Sequence, residues 1–135
     1  MRSSLRMRPN DGSRPLVRLE DIVDAIGASV LVGDKSLLQR EITTASACDL
    51  MSDVLAFAKS GILLITGLTN SQVVRTAVIA DLSGVIIVRG KQPETATIEL
   101  ARKMHVPLLG TSMHMFETCS ELAKIGIMGT CYDTF

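Results

Sequence analysis

Residues 62–126 read ILLITGLTNSQVVRTAVIADLSGVIIVRGKQPETATIELARKMHVPLLGTSMHMFETCSELAKIG, and the alternation inside this stretch decides the fold class. Ile62–Thr66 is a continuous apolar run; after GLTN, the residues Val73, Val74, Ala77, Val78 and Leu82 recur at helical spacing. The cycle then returns as Val85–Val88, the loop RGKQP, and a helix opened at or beside Pro93 whose inner side carries Ile98, Ala101 and Met104. A third round runs from Val106–Leu109 through GTSMH into a helix on which Phe116, Cys119, Leu122 and Ala123 share a face before Gly126. Strands this short and apolar on both faces belong to a parallel sheet covered by helices on each side. The prediction is a three-layer α/β/α domain with a mostly parallel, short-stranded sheet.

Upstream, Leu19, Ile22, Val23 and Ile26 fall on one face of a short helix that Gly27 is placed to end. A strand over Ser29–Val32 meets a turn at Gly33–Asp34, and a second extended piece, Glu41–Ala45, precedes a helix near Met51–Ala58, which Asp49 or Ser52 could cap. The composition changes at Pro15. Before it, Arg2, Arg6, Arg8 and Arg14 stand against one acid, Asp11, in a Ser/Pro/Asn/Gly background. The expected organisation is therefore a disordered basic leader over residues 1–15, a folded domain over 16–127 and a C-terminal tail over 128–135.

Several function classes are excluded by composition. Hydrophobic residues make up 47% of the 135-residue chain but aromatics only 3%, so the core must be aliphatic, and a base-stacking platform for single-stranded nucleic acid has no material to be built from. A nucleic-acid role would rest on the arginine leader alone. No apolar stretch reaches the length of a membrane span and the leader has no apolar signal region, which predicts a cytoplasmic protein without a membrane partner. Cys48, Cys119 and Cys131 sit in no metal-ligand spacing, so they read as inert reduced thiols; no metal and no cofactor are expected. The nearest imitation of a phosphate-binding P-loop, GVIIVRGK over Gly84–Lys91, has one residue too many and Gln92 where a hydroxyl belongs. Asp49 and Asp53 are spaced to share a helix face, where carboxylates near an N-terminus complement the helix dipole. No catalytic residue is assigned.

In a parallel sheet, ligands bind outside the carboxyl ends of the strands. Three loops should meet there: Thr66–Ser71, Arg89–Pro93 and Gly110–His114. Each combines glycine with hydroxyls, amides or cations and feeds a helix N-terminus, a combination suited to an anion. The candidate ligand-binding residues are Gly67, Asn70 and Ser71 as an anion cradle, Arg89 and Lys91 as counter-charges on either side of Gly90, and Thr111, Ser112 and His114 as hydrogen-bonding orienters. The same residue types are also ordinary helix caps and turn formers, so the binding reading rests on the three loops together.

The stretch from REITTASACDLMSDVLAFAKSGILLIT through SGVIIVRGKQPETATIELARKMHVPLLGTSMHMFETCSELAKIGI resembles the DRTGG domain family over roughly Leu19–Ile127. The likeness lies in the order of a threonine-bearing loop, a strand with a glycine loop, and a final strand and helix of "VPLL-T" and "F-T" type. Thr43, Thr44 and Ala45 replace the threonine and glycines typical of relatives, and the later glycine pair is reduced to Gly90. The resemblance implies a stand-alone DRTGG domain similar to the N-terminal domain of HPr kinase/phosphorylase and, in fold, to the N-terminal domains of Mur ligases. It also implies association as a homodimer. The resulting expectation is a non-enzymatic regulatory or sensor module that binds a small anionic metabolite or nucleotide and signals through dimer contacts or a partner enzyme or regulator. The alternatives are an interaction scaffold without a ligand and a phosphoryl-transfer enzyme.

Overall fold

The computed structural model describes the backbone of residues 6–7 and 15–130. In chain order it contains β1 (Arg6–Met7), β2 (Pro15–Leu16), α1 (Leu19–Ile26), β3 (Ser29–Val32), α2 (Lys35–Leu38), β4 (Ala45–Ala47), α3 (Met51–Phe57), β5 (Leu63–Thr66), α4 (Gln72–Ile79), β6 (Gly84–Ile87), α5 (Thr95–Met104), β7 (Leu108–Gly110) and α6 (Met115–Lys124). β1 and β2 pair antiparallel with each other. Within the leader expected to be disordered, Arg6–Met7 and Pro15 belong to a paired segment, and residues 1–5 and 8–14 lie outside the described residues. The other strands form one five-stranded sheet in the order β3-β7-β6-β5-β4. β4 to β7 run parallel, as the repeated strand–helix units imply, but β3 joins the β7 edge antiparallel, so the sheet is mixed.

The period of two along each strand sends alternate residues into two aliphatic cores. Leu63, Ile65, Ile86, Val88 and Leu109 pack with Ile22 and Ile26 of α1 and Leu122 of α6. Leu64, Val85, Ile87 and Leu108 pack on the opposite face with Val54 of α3, Val73, Val74 and Ala77 of α4, and Ala101 of α5. This is why the central strands read as unbroken apolar runs: neither face meets water. Burying one such side chain contributes about 1.5–3 kcal/mol, so the sheet is a rigid floor for the loops at its ends.

Local chemistry sets the boundaries. The Asp21 carboxylate accepts the Arg18 N–H at 2.8 Å at the start of α1, and Gly27, at φ 59°, closes it. The one-turn helix α2 begins on Asp34, whose carboxylate accepts the Leu37 N–H at 2.9 Å, where Gly33–Asp34 predicts only a turn. The extended piece expected at Glu41–Ala45 is displaced, because Glu41 makes an isolated bridge to Arg18 while the paired strand is Ala45–Ala47. The α3 cap position falls on Leu50 and uses no side chain, so neither Asp49 nor Ser52 caps it. Pro93 precedes the cap residue Glu94 and is not the first helical residue of α5. Phe116 is 80% exposed, and Thr118 takes its expected place on the inner face of α6 with Leu122. The folded body continues past Ile127: Met128 bridges Thr44, and its C=O accepts the Ala45 N–H at 3.0 Å. Residues 131–135, and Cys131 with them, lie outside the described residues.

Candidate functional site

Four parallel strands end on one edge of the sheet, and the connections leaving them span residues 48–50, 67–71, 88–94 and 111–114. Backbone hydrogen bonds tie the last three together. The Thr111 N–H donates to Ile87 C=O at 3.0 Å, the Gly90 N–H to Thr111 C=O at 2.8 Å, and the Arg89 N–H to Met113 C=O at 2.8 Å. From the other side, the Glu94 N–H and the Thr97 hydroxyl both donate to Thr69 C=O, at 3.2 and 2.8 Å. The three loops singled out in the sequence therefore form one rim.

At its centre Arg89 and Gly90 hold φ values of 63° and 64°, and the Lys91 N–H reaches back to Val88 C=O at 3.4 Å. Two successive left-handed residues make a type I′ turn. Glycine suits this region, whereas an arginine in it costs about 1–2 kcal/mol. The turn carries two cations, and among the described residues neither the Arg89 guanidinium nor the Lys91 ammonium has a hydrogen-bond or ion-pair partner.

The fourth connection supplies a residue that the sequence reading assigned elsewhere. Asp49 follows β4, and its Oδ1 accepts the Gly67 N–H at 2.8 Å and the Thr66 hydroxyl at 2.9 Å. The Gly67 N–H foremost, then the Thr66 hydroxyl and the charges of Lys91 and Arg89, hold the Asp49 carboxyl below its ordinary value against an opposing effect of burial. A β-carbon placed on Gly67 would lie 3.7 Å from Asp49 Oδ1 and 3.8 Å from Lys91 Nζ, so the three residues meet around one point. The Gly67 N–H, expected to cradle an external anion, is already given to an internal one. The signal that could have located Asp49 was weak, because β4 reads ASA and carries neither the branched nor the aromatic residues of a typical strand.

On the β7 side of the turn, Gly90, Lys91, Thr111 and Ser112 line a groove of about 140 Å³ closed by Ser29 and Leu31 of the antiparallel edge strand. Thr111 is structural as well as peripheral: its buried hydroxyl donates to Ile26 C=O at 2.8 Å and accepts the Met113 N–H at 3.2 Å. Ser112 is exposed. His114 occupies the cap position of α6, is exposed, and is not among the residues lining the groove. Asn70 and Ser71 are engaged elsewhere. The Asn70 side chain accepts the Gln72 N–H at 3.1 Å, and the Ser71 hydroxyl accepts from Arg75 at 3.0 Å, beside a separate groove between α4 and α5 lined by Glu99 and Lys103. The structure thus places Gly90, Lys91, Thr111 and Ser112 along the groove and Gly67 beside Asp49 and Lys91, whereas Arg89, Asn70, Ser71 and His114 are not among the residues lining it.

Away from the rim, Cys48 and Cys119 are free and half-buried, and burial pushes the Cys119 thiol up, away from the reactive thiolate. Among the described residues no group of three or more His, Cys, Asp or Glu side chains could hold a metal ion, and no helix is long and apolar enough to cross a membrane.

Fold and rim together define an α/β module with its polar groups gathered at the carboxyl ends of parallel strands. More particularly, the DRTGG domain family matches residues 21–125, and the chain belongs to that family. Among solved structures it is similar to the CBS and DRTGG domains of the regulatory region of Clostridium perfringens pyrophosphatase, complexed with the activator diadenosine tetraphosphate. The identity is 17% and the TM-score 0.66, with 82% of this chain and 47% of the other covered, so the fold is shared and this chain spans about half the length of its neighbour. No curated protein matches the sequence.

Proposed function

We propose that this chain is a non-enzymatic regulatory module that binds a small anionic metabolite or nucleotide at the strand-end rim. The carrying observation is the I′ turn, on which Lys91 lines and Arg89 flanks a groove of about 140 Å³, neither cation having a hydrogen-bond or ion-pair partner among the described residues. Two cations without hydrogen bonds on a left-handed turn are maintained against a backbone cost, and a bound anion would supply the acceptors they lack. The presence of a DRTGG domain in the regulatory region of a nucleotide-activated pyrophosphatase supports the same reading. Arg89, Lys91, Gly90 and Ser112 are the proposed contacts, with Gly67 and Thr111 shaping the floor and His114 at the outer margin.

Occupancy would be read out in the cytoplasm by a second copy of the chain or by a partner protein. Phe57 and Ile79, on the adjacent helices α3 and α4, are 77% and 72% exposed and supply apolar contact surface for this step. The test is thermal unfolding against a panel of nucleotides and phosphorylated metabolites. A ligand at 100 times its Kd adds about 2.7 kcal/mol of stability. The shift should vanish in Arg89→Ala and Lys91→Ala; a panel without any shift refutes the binding role and leaves the scaffold reading, which needs only the apolar surface.

A further inference from the structure

The rim holds a carboxylate, Asp49, beside Gly67 and Lys91. Asp49 Oδ1 is taken by the Gly67 N–H and the Thr66 hydroxyl, whereas Oδ2 of this exposed residue has no hydrogen-bond partner among the described residues. A phosphate seated at the Gly67 N–H would face this carboxylate directly, and like charges repel most where water has been displaced. The anion therefore belongs at the other end, in the groove with Ser112 and the Lys91 side chain. At about 140 Å³ that groove holds a phosphate, but it is well short of the roughly 300–1,000 Å³ of sites that enclose a whole metabolite. The remainder of a phosphorylated ligand must lie outside it. Lys91 marks the direction, since it lines the groove and its Nζ also lies 3.8 Å from the β-carbon position of Gly67, against which Asp49 packs. What reaches Asp49 must donate hydrogen bonds. A ligand ammonium would add a third positive charge beside Arg89 and Lys91, whereas hydroxyls donate without charge.

We infer that the ligand is a phosphorylated sugar or ribonucleotide, held with its phosphate on Arg89, Lys91 and Ser112 and its sugar hydroxyls donating to Asp49 Oδ2. This rests on the anion-binding reading above and adds to it a ligand class and an orientation.

Calorimetric titration of the full chain with inorganic phosphate, ribose 5-phosphate, AMP and 2′,3′-dideoxy-AMP tests the inference. Ribose 5-phosphate should bind about tenfold or more tightly than phosphate, and removing the hydroxyls from AMP should cost a similar factor. Asp49→Asn keeps a carbonyl for the Gly67 N–H but puts a donor in place of Oδ2. That variant should lose the tenfold preference while binding inorganic phosphate at least as tightly as before. If ribose 5-phosphate and phosphate bind alike, or if Asp49→Asn strengthens both equally, the hydroxyl assignment is overturned and the anion site stands. If the unaltered chain binds none of the four, the anion site falls and this inference with it. The AMP and dideoxy-AMP comparison needs no variant, so a poorly folding Asp49→Asn would not protect the inference.

Discussion

The two edges of the central sheet are built from similar residues and use them in opposite ways. At the amino-terminal edge of the parallel strands, the Ser60 hydroxyl donates to the Asp81 carboxylate and the Ser83 hydroxyl to Gly61 C=O. The Gly61 N–H donates to Asp81 C=O at 2.8 Å, and Arg40 donates to Ser83 C=O at 3.0 Å. These four groups are consumed within the fold. At the carboxyl-terminal edge, among the described residues, Arg89 and Lys91 make no hydrogen bond or ion pair and Asp49 keeps one oxygen without a hydrogen bond. Backbone strain does not separate the edges, because Asp81 and His105 at the first hold φ values of 54° and 57°, much like Arg89 at the second. His105 is a left-handed helix terminus whose N–H is used by Ala101 and Arg102 carbonyls. Unspent hydrogen-bonding capacity, not unusual dihedrals, is what marks the candidate site.

The largest expected effect lies at the consumed edge. A β-carbon on Gly84 would stand 3.3 Å from both the Cβ and the carbonyl oxygen of Pro107 and 3.4 Å from Leu63 Cδ1, and the branched side chain of Gly84→Val has no room beyond that. It should lower unfolding free energy by about 3 kcal/mol, the upper end of overpacking costs, as measured by denaturant titration, with ligand affinity unchanged once the protein is folded. Next comes Thr111→Val, which strips a donor from Ile26 C=O and an acceptor from the Met113 N–H. A loss of about 2 kcal/mol is expected, and a loss below about 0.5 kcal/mol would show that Thr111 is not the structural pin that separates it from its neighbour Ser112.

How far the sequence reveals this division follows from what each region must bury. The repeated strand–helix units were legible because Leu63–Thr66, Gly84–Ile87 and their helices bury aliphatic groups on both faces, which leaves periodic traces. The loops Thr66–Ser71, Arg89–Pro93 and Gly110–His114 could be placed at one edge from topology alone. Strand β4 is made of small residues at the sheet margin, so its register and the position of Asp49 left no trace. Asn70 and Ser71 carry the same chemical groups whether they cap a turn, bind Arg75 or face a ligand, and only coordinates show which partner each has taken. The antiparallel direction of β3 is likewise invisible in SVLV, since a half-buried strand reads the same in both orientations.

A matched pair of substitutions separates strain from function. Arg89→Gly and His105→Gly each relieve a left-handed residue, so each should raise stability by about 1 kcal/mol. Only Arg89→Gly should weaken anion binding, because Arg89 lies on the turn beside the groove and His105 lies at the opposite edge of the sheet. Equal losses of affinity from both would mean that the turn geometry, rather than the guanidinium, holds the ligand.

The smallest effect is the most specific. Asp34 and Asp49 both titrate below the ordinary value of 3.8, Asp34 chiefly through the Leu37 N–H and Asp49 chiefly through the Gly67 N–H. A carboxyl whose folded pKa is depressed contributes stability that is present above the unfolded value and is lost as pH falls through the folded one. Acid below pH 3.8 should therefore erode stability at both positions, and Asp49→Asn should remove only its own share of that slope. Inorganic phosphate bound near Lys91 adds negative charge at one edge alone and brings no hydroxyl donor to Asp49, and a like charge disfavours the ionised carboxyl. Carboxyl-carbon NMR titration should then show the Asp49 midpoint moving up on saturation with ligand while the Asp34 midpoint stays in place. Movement of both, or of neither, would mean that the charge at the carboxyl-terminal edge is not where the anion goes.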